Sequence, residues 1–126
     1  MSLARNIIRI LNETDDDDDV LSIIEKCFAK NCRSLDLSYH SLTEIPQEIF
    51  KLKNLEFLNL SNNKLSELPV GIYRLDKLRE LNISNNNFEY LDSNKLTKMK
   101  ALKSLIISGH RIPDKITDEL GDLIAG

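Results

Sequence analysis

Five consecutive aspartates, Asp15 to Asp19, form the densest cluster of reactive side chains in the sequence. Asp15, Asp17 and Asp19 have the alternate spacing of the first three ligands in a calcium-binding loop. The remainder of such a loop is missing. Val20 stands where the sharp turn takes glycine, and Lys26 stands where the bidentate glutamate closes the shell. The run therefore reads as a solvated acidic linker, residues 13–19, whose last carboxylates favour the N-terminus of a following helix. No H-E-x-x-H helix, glycine-rich phosphate loop, nucleophile–base pair or paired-cysteine metal motif occurs elsewhere. No catalytic residue, metal or cofactor is expected, and the chain does not read as an enzyme.

The elements that carry the other side chains follow from a repeat. Leu55, Leu58, Leu60, Asn63, Leu65, Leu68 and Pro69 recur 23 residues later as Leu78, Leu81, Ile83, Asn86, Phe88 and Leu91, with Asp92 in place of the proline. The same frame fits 23 residues earlier at Leu35, Leu37, His40, Leu42, Ile45 and Pro46. It fits again at Leu102, Leu105, Ile107, His110 and Ile112, after a unit one residue longer. A period of this length marks a solenoid, in which each unit buries its apolar face against its neighbours. Within each unit, the alternation around x-L-x-L-x predicts a short strand with leucines inward and the residues between them outward.

This pattern resembles the leucine-rich repeat family, in the longer intracellular form written LxxLxLxxNxLxxLPxxIxxLxx. The resemblance implies an α/β solenoid of four repeat units with a parallel sheet on the concave side. The units are 32–54, 55–77, 78–101 and a partial 102–112. Residues 1–31 are expected as an N-terminal helical cap and 113–126 as a C-terminal one. Val20, Leu21, Ile23, Ile24, Cys27 and Phe28 have helical spacing, as do Ile116, Leu120, Leu123 and Ile124. Residues 2–11 are expected to add a further short helix. Pro46 and Pro69 should open short helical or 3₁₀ turns on the returning side. In the third unit, Asp92 or Ser93 should cap a fuller helix running toward Met99.

In the family, the repeat asparagine hydrogen-bonds turn backbone, so His40, Asn63, Asn86 and His110 form one structural column. A neutral imidazole can donate and accept in a similar way. The two histidines stand three strand spacings apart, about 14 Å, too far for a shared metal or a catalytic dyad.

The net charge of −3 resides in the N-terminal segment: residues 1–30 hold four basic and seven acidic side chains, and residues 31–126 hold thirteen of each. With no basic surplus to neutralise phosphates, nucleic acid is not expected as a partner. No run is long and apolar enough to span a membrane, and Arg5 and Arg9 interrupt the apolar stretch 2–11, which makes it a poor signal peptide. Secreted relatives carry disulfide-bonded cysteine clusters at their ends, whereas this sequence has only Cys27 and Cys32. Free thiols are expected, with a Cys27–Cys32 bridge as the alternative, and a reducing, cytoplasmic compartment follows. Glycans at the sequons of Asn59 and Asn82 would crowd the sheet, which points the same way; Asn12 begins a third sequon.

Function therefore rests on the residues the repeat leaves free. The outward columns are Ser34, Phe57, Glu80 and Ser104; Asp36, Asn59, Asn82 and Ile106; and Ser38, Ser61, Ser84 and Ser108. Phe57 and Ile106 are apolar where a polar residue would satisfy the fold, and Tyr39 lies at the loop edge, so these three read as interface anchors. Lys51, Lys53, Arg74, Lys77, Lys98, Lys100 and Lys103 should line one rim as solubilising charge. The expectation is a monomeric adaptor or regulator that binds a protein partner through the concave sheet. The resemblance also admits a regulatory subunit of a small-GTPase or phosphatase pathway, and a pathogen effector acting on host signalling.

Overall fold

The computed structural model describes residues 19–125. The expected helix at 2–11, the aspartates Asp15 to Asp18 and the Asn12 sequon lie outside the described residues.

Helix α1, Val20–Lys30, begins at Asp19, whose carboxylate accepts from the Ser22 N–H at 3.3 Å. Such a cap satisfies one of the backbone donors that the first helical turn leaves open. The helix ends at Asn31, in left-handed conformation with φ 52°. There the Asn31 N–H donates to the Phe28 carbonyl (3.2 Å) and the Cys32 N–H to the Cys27 carbonyl (3.0 Å). This pair of bonds is a Schellman motif, which brings the side chains at its two ends together. Those side chains are Cys27 and Cys32, with Cα atoms 5.1 Å apart, and they are joined as a disulfide. The free-thiol expectation is thereby corrected. The left-handed asparagine folds the chain back on itself, an effect that sequence spacing does not display.

Four strands follow: β1 (Ser34–Asp36), β2 (Phe57–Asn59), β3 (Glu80–Asn82) and β4 (Ser104–Ile106). They form one parallel sheet in chain order, with Leu35, Leu58, Leu81 and Leu105 in register. These four leucines and the next inward set, Leu37, Leu60, Ile83 and Ile107, are all buried. The ladder continues beyond each strand, as the Leu37 N–H donates to the Asn59 carbonyl and the Leu60 N–H to the Asn82 carbonyl, both at 2.8 Å. The third outward column departs from the alternation. Ser61 and Ser84 are buried, because the chain turns inward just past each strand. There the Ser61 hydroxyl donates to Asn59 Oδ1 at 2.7 Å, and Ser84 Oγ accepts from the Ser108 N–H at 3.0 Å.

Each turn after a strand requires a residue with positive φ, and the equivalent positions are Tyr39 (59°), Asn62 (57°), Asn85 (55°) and Gly109 (69°). Asparagine and glycine tolerate this region; tyrosine does so at a cost. The next residues carry the interior hydrogen bonds. Asn63, buried, accepts through Oδ1 from the N–H groups of His40 (3.0 Å) and Leu42 (2.9 Å). Its Nδ2 donates to the carbonyls of Leu37 and Leu60, each at 3.0 Å. Asn86 accepts from the Leu65 N–H and donates to the Leu60 carbonyl, each at 2.9 Å. His110 acts within its own turn, its Nδ1 accepting from the Ile112 N–H at 2.9 Å. His40 enters through its backbone, and among the described residues its imidazole has no hydrogen-bond partner.

The chain returns through 3₁₀ turns at Gln47–Lys51 and Val70–Arg74, each preceded by a proline. These turns stack closely. A Cβ added to Gly71 would sit 2.5 Å from the Phe50 ring, so the second turn rests its backbone on the first. In the third unit the turn becomes helix α2, Ser93–Thr97, whose N-cap Asp92 accepts from the Lys95 N–H at 3.1 Å. Helix α3, Asp114–Leu120, and a 3₁₀ turn at Gly121–Leu123 follow β4. Ile124 then bridges to Leu105, and the Ala125 N–H donates to the Leu105 carbonyl at 2.9 Å. This supplies a partner to an edge that would otherwise invite association with another strand.

Candidate functional site

The sheet face is built from alternate residues of four three-residue strands. In its first row, Ser34, Phe57, Glu80 and Ser104 lie side by side; in the second, Asp36, Asn59, Asn82 and Ile106 do. All eight belong to the set expected from sequence, and the register brings them onto one surface. A shallow groove of about 200 Å³ runs over the first three strands, lined by Ser34, Asp36, Phe57, Asn59, Glu80 and Asn82. Ser104 and Ile106 lie beyond it on β4 and are partly buried.

The second row is held by its own chain. Asp36 accepts from the N–H (2.9 Å) and hydroxyl (2.7 Å) of Ser38. Asn59 accepts from the N–H of Ser61 at 3.0 Å, and Asn82 from the N–H of Ser84 at 3.0 Å. These local bonds use the side-chain oxygens. They leave the Nδ2 groups of Asn59 and Asn82 without a protein acceptor among the described residues. Two neighbouring amide donors are thus available for the carbonyls of a bound chain.

Phe57 is 39% exposed in this polar setting. The Arg79 guanidinium sits 5.7 Å from its ring centroid, and Glu56 links Arg79 (3.7 Å) and Arg33 (3.8 Å). This Arg33–Glu56–Arg79 row flanks the groove, and its part in shaping the face was missed in sequence. A signal existed: the three occupy one repeat position with alternating charge. Because Phe57 is already partly covered, its further burial would contribute about 1 kcal/mol rather than the full value for a phenylalanine.

Tyr39 stands 77% exposed at the end of β1, with the left-handed backbone noted above. A positive φ on a large exposed non-glycine residue costs stability. Replacing Tyr39 with asparagine, as in the next turn, should raise the unfolding free energy by about 1 kcal/mol. Urea unfolding followed by far-UV circular dichroism would measure it, and a stability loss would contradict the strain argument.

Within the described residues, no group of three histidine, cysteine, aspartate or glutamate side chains could hold a metal, and no helix is long and apolar enough to cross a membrane. The rim lysines and Arg74 are exposed; Lys77 Nζ donates to Asn54 Oδ1 at 3.0 Å, and Lys51 Nζ lies 5.8 Å from the Phe28 ring centroid.

Comparison with known proteins agrees with this architecture. No curated protein matches the chain. Among solved structures, a leucine-rich repeat protein of Leptospira interrogans is 34% identical with a TM-score of 0.70, over 82% of this chain and 27% of that one. The leucine-rich repeat domain of a Shigella effector is 24% identical with a TM-score of 0.59, over 71% and 37% of the two chains. Human trophoblast glycoprotein is 22% identical with a TM-score of 0.64, over 75% and 38%. The match thus spans well under half the length of each of these structures. A family model described as a leucine-rich repeat region covers residues 7–125. With the parallel sheet, the 23-residue period and the asparagine bonds between turns, this places the chain in the leucine-rich repeat family.

Proposed function

We propose that the chain is a protein-binding module, a small adaptor or regulator that presents its sheet face to an extended segment of a partner. In this reading residues 32–112 are the four repeat units and the segments 1–31 and 113–126 are their caps. The observation that carries it is Phe57, an exposed aromatic anchor at the centre of a polar groove with Arg79 against its ring. Serine and asparagine around such an anchor exclude water and supply hydrogen bonds, the usual anatomy of a contact with a few dominant residues. The module acts by binding rather than by catalysis. Four strands span about 14 Å between outer axes, so the face alone gives an interface below the standard ~800 Å² per partner. Tyr39 and Ile106 extend it at either side.

The test is affinity capture compared between the native chain and a folded Phe57→Asp/Ile106→Asp variant. Loss of a captured protein from the variant, by about tenfold or more, is the expected result. Equal capture by both chains would move recognition away from the sheet. For any partner so found, Tyr39→Asn should weaken binding even though it stabilises the fold.

A further inference from the structure

The third unit breaks the repeat on the helical side of the molecule. Pro46 and Pro69 precede 3₁₀ turns, whereas Asp92 occupies the equivalent place before helix α2. Between the Val70–Arg74 turn and α2 lies a cleft of about 300 Å³, at the lower end of the range for ligand sites. Its chemistry comes from Glu67, Val70, Tyr73, Tyr90, Asp92 and Lys95. Tyr90 and Val70 are 63% and 58% exposed.

The cleft already holds a cation. Lys95 Nζ lies 5.5 Å from the centroid of the Tyr73 ring, within cation–π range. Burial, the Asp92 carboxylate and the nearby Tyr90 push the Tyr73 phenol up to about 12, so the ring stays neutral at physiological pH. Glu67 makes no hydrogen bond or ion pair with the described residues, and Asp92 uses one oxygen for the helix cap. Two carboxylates and one ammonium thus line the same cleft. Lys95 is itself exposed and attached by a flexible stem, so it can leave the ring without disturbing the backbone.

We propose that this cleft is a binding site for an arginine side chain of a protein partner, with Lys95 occupying the aromatic face until the guanidinium displaces it. Arginine fits better than lysine. Its planar group stacks on Tyr73 and Tyr90 and can meet Asp92 or Glu67 with paired N–H donors, which a compact ammonium cannot do. The site is separate from the sheet face and does not depend on the function proposed for it.

The probe is N-acetyl-arginine N-methylamide, titrated into the ¹⁵N-labelled full chain and followed by amide chemical shifts. The neutral citrulline analogue serves as the control of the same shape. Saturable shifts at residues 66–73 and 90–95 with arginine alone are expected, with a dissociation constant on the order of millimolar for one side chain. Tyr90→Ala removes an exposed ring and should weaken binding about fivefold. Asp92→Asn keeps the helix cap, removes the charge, and should also weaken it. Lys95→Ala removes the competitor and should strengthen binding about threefold. The Phe57→Asp/Ile106→Asp chain should bind the probe unchanged. No saturable shift, an equal response to citrulline, or weaker binding by Lys95→Ala would overturn the proposal.

Discussion

Replacing Asn63 with alanine is expected to lower the unfolding free energy by about 3–5 kcal/mol, the largest loss from any single polar side chain among the described residues. The side chain is buried and bridges two turns. Its oxygen accepts from His40 and Leu42, and its nitrogen donates to Leu37, Leu60 and Ser61. Alanine leaves the N–H groups of His40 and Leu42 and the carbonyl of Leu37 without that partner, while the Leu60 carbonyl still accepts from Asn86 and the Ser61 carbonyl from the Tyr39 N–H; each buried unsatisfied group costs about 1–3 kcal/mol. Because a domain has only about 5–15 kcal/mol in total, the loss is a large share. A solenoid adds a second consequence. Each unit is stable mainly through its neighbour, so weakening one junction should divide a single unfolding transition into two. Urea unfolding followed by far-UV circular dichroism reports both the midpoint shift and the change of shape. Asn63→Asp tests the chemistry: it keeps the acceptor but sets an oxygen against the carbonyls of Leu37 and Leu60, and should be at least as damaging. A loss below about 1 kcal/mol for both variants would mean that water replaces the amide.

Phe88→Ala should cost about 3–5 kcal/mol, by a different mechanism. Phe88 is 2% exposed and occupies the place that Leu65 fills one unit earlier. Removing its ring deletes apolar burial and leaves a cavity between two units, where the backbone is held on both sides by hydrogen bonds and cannot collapse. Phe88→Leu, which restores the residue type of the preceding unit, should recover most of the loss. Thermal and urea unfolding of the pair would check this. Equal losses for alanine and leucine would show that the shape of the aromatic ring, not its volume, is required at this junction.

Most of the fold could be read because two periods act together. The alternation within Leu58-Asn59-Leu60 assigns an inward and an outward face, and the 23-residue spacing places Leu58 beside Leu35 and Leu81. Apolar burial decides both, and it is visible in residue types. Where the chain leaves regular structure the rule fails. Ser61 and Ser84 continue the alternation in sequence but lie buried, because the turn redirects them and their hydroxyls find partners there. Phe57 was legible as an apolar residue at an outward position. Its neighbour Arg79 was not, since the contact runs between adjacent units and depends on side-chain reach.

The sequence by itself determined the repeat, the register of its strands and the first two outward columns, since these follow from the period of apolar side chains, and the resemblance to the leucine-rich repeat family implied the parallel sheet. Only the tertiary structure decided the Cys27–Cys32 pairing, the buried serines, the strain at Tyr39, and the cleft that gathers Tyr73, Tyr90, Asp92 and Lys95. Each of these depends on a left-handed residue, a turn, or a 3₁₀ segment facing an α-helix. Such backbone details set which side chains meet in space, and the spacing of residues along the chain does not encode them.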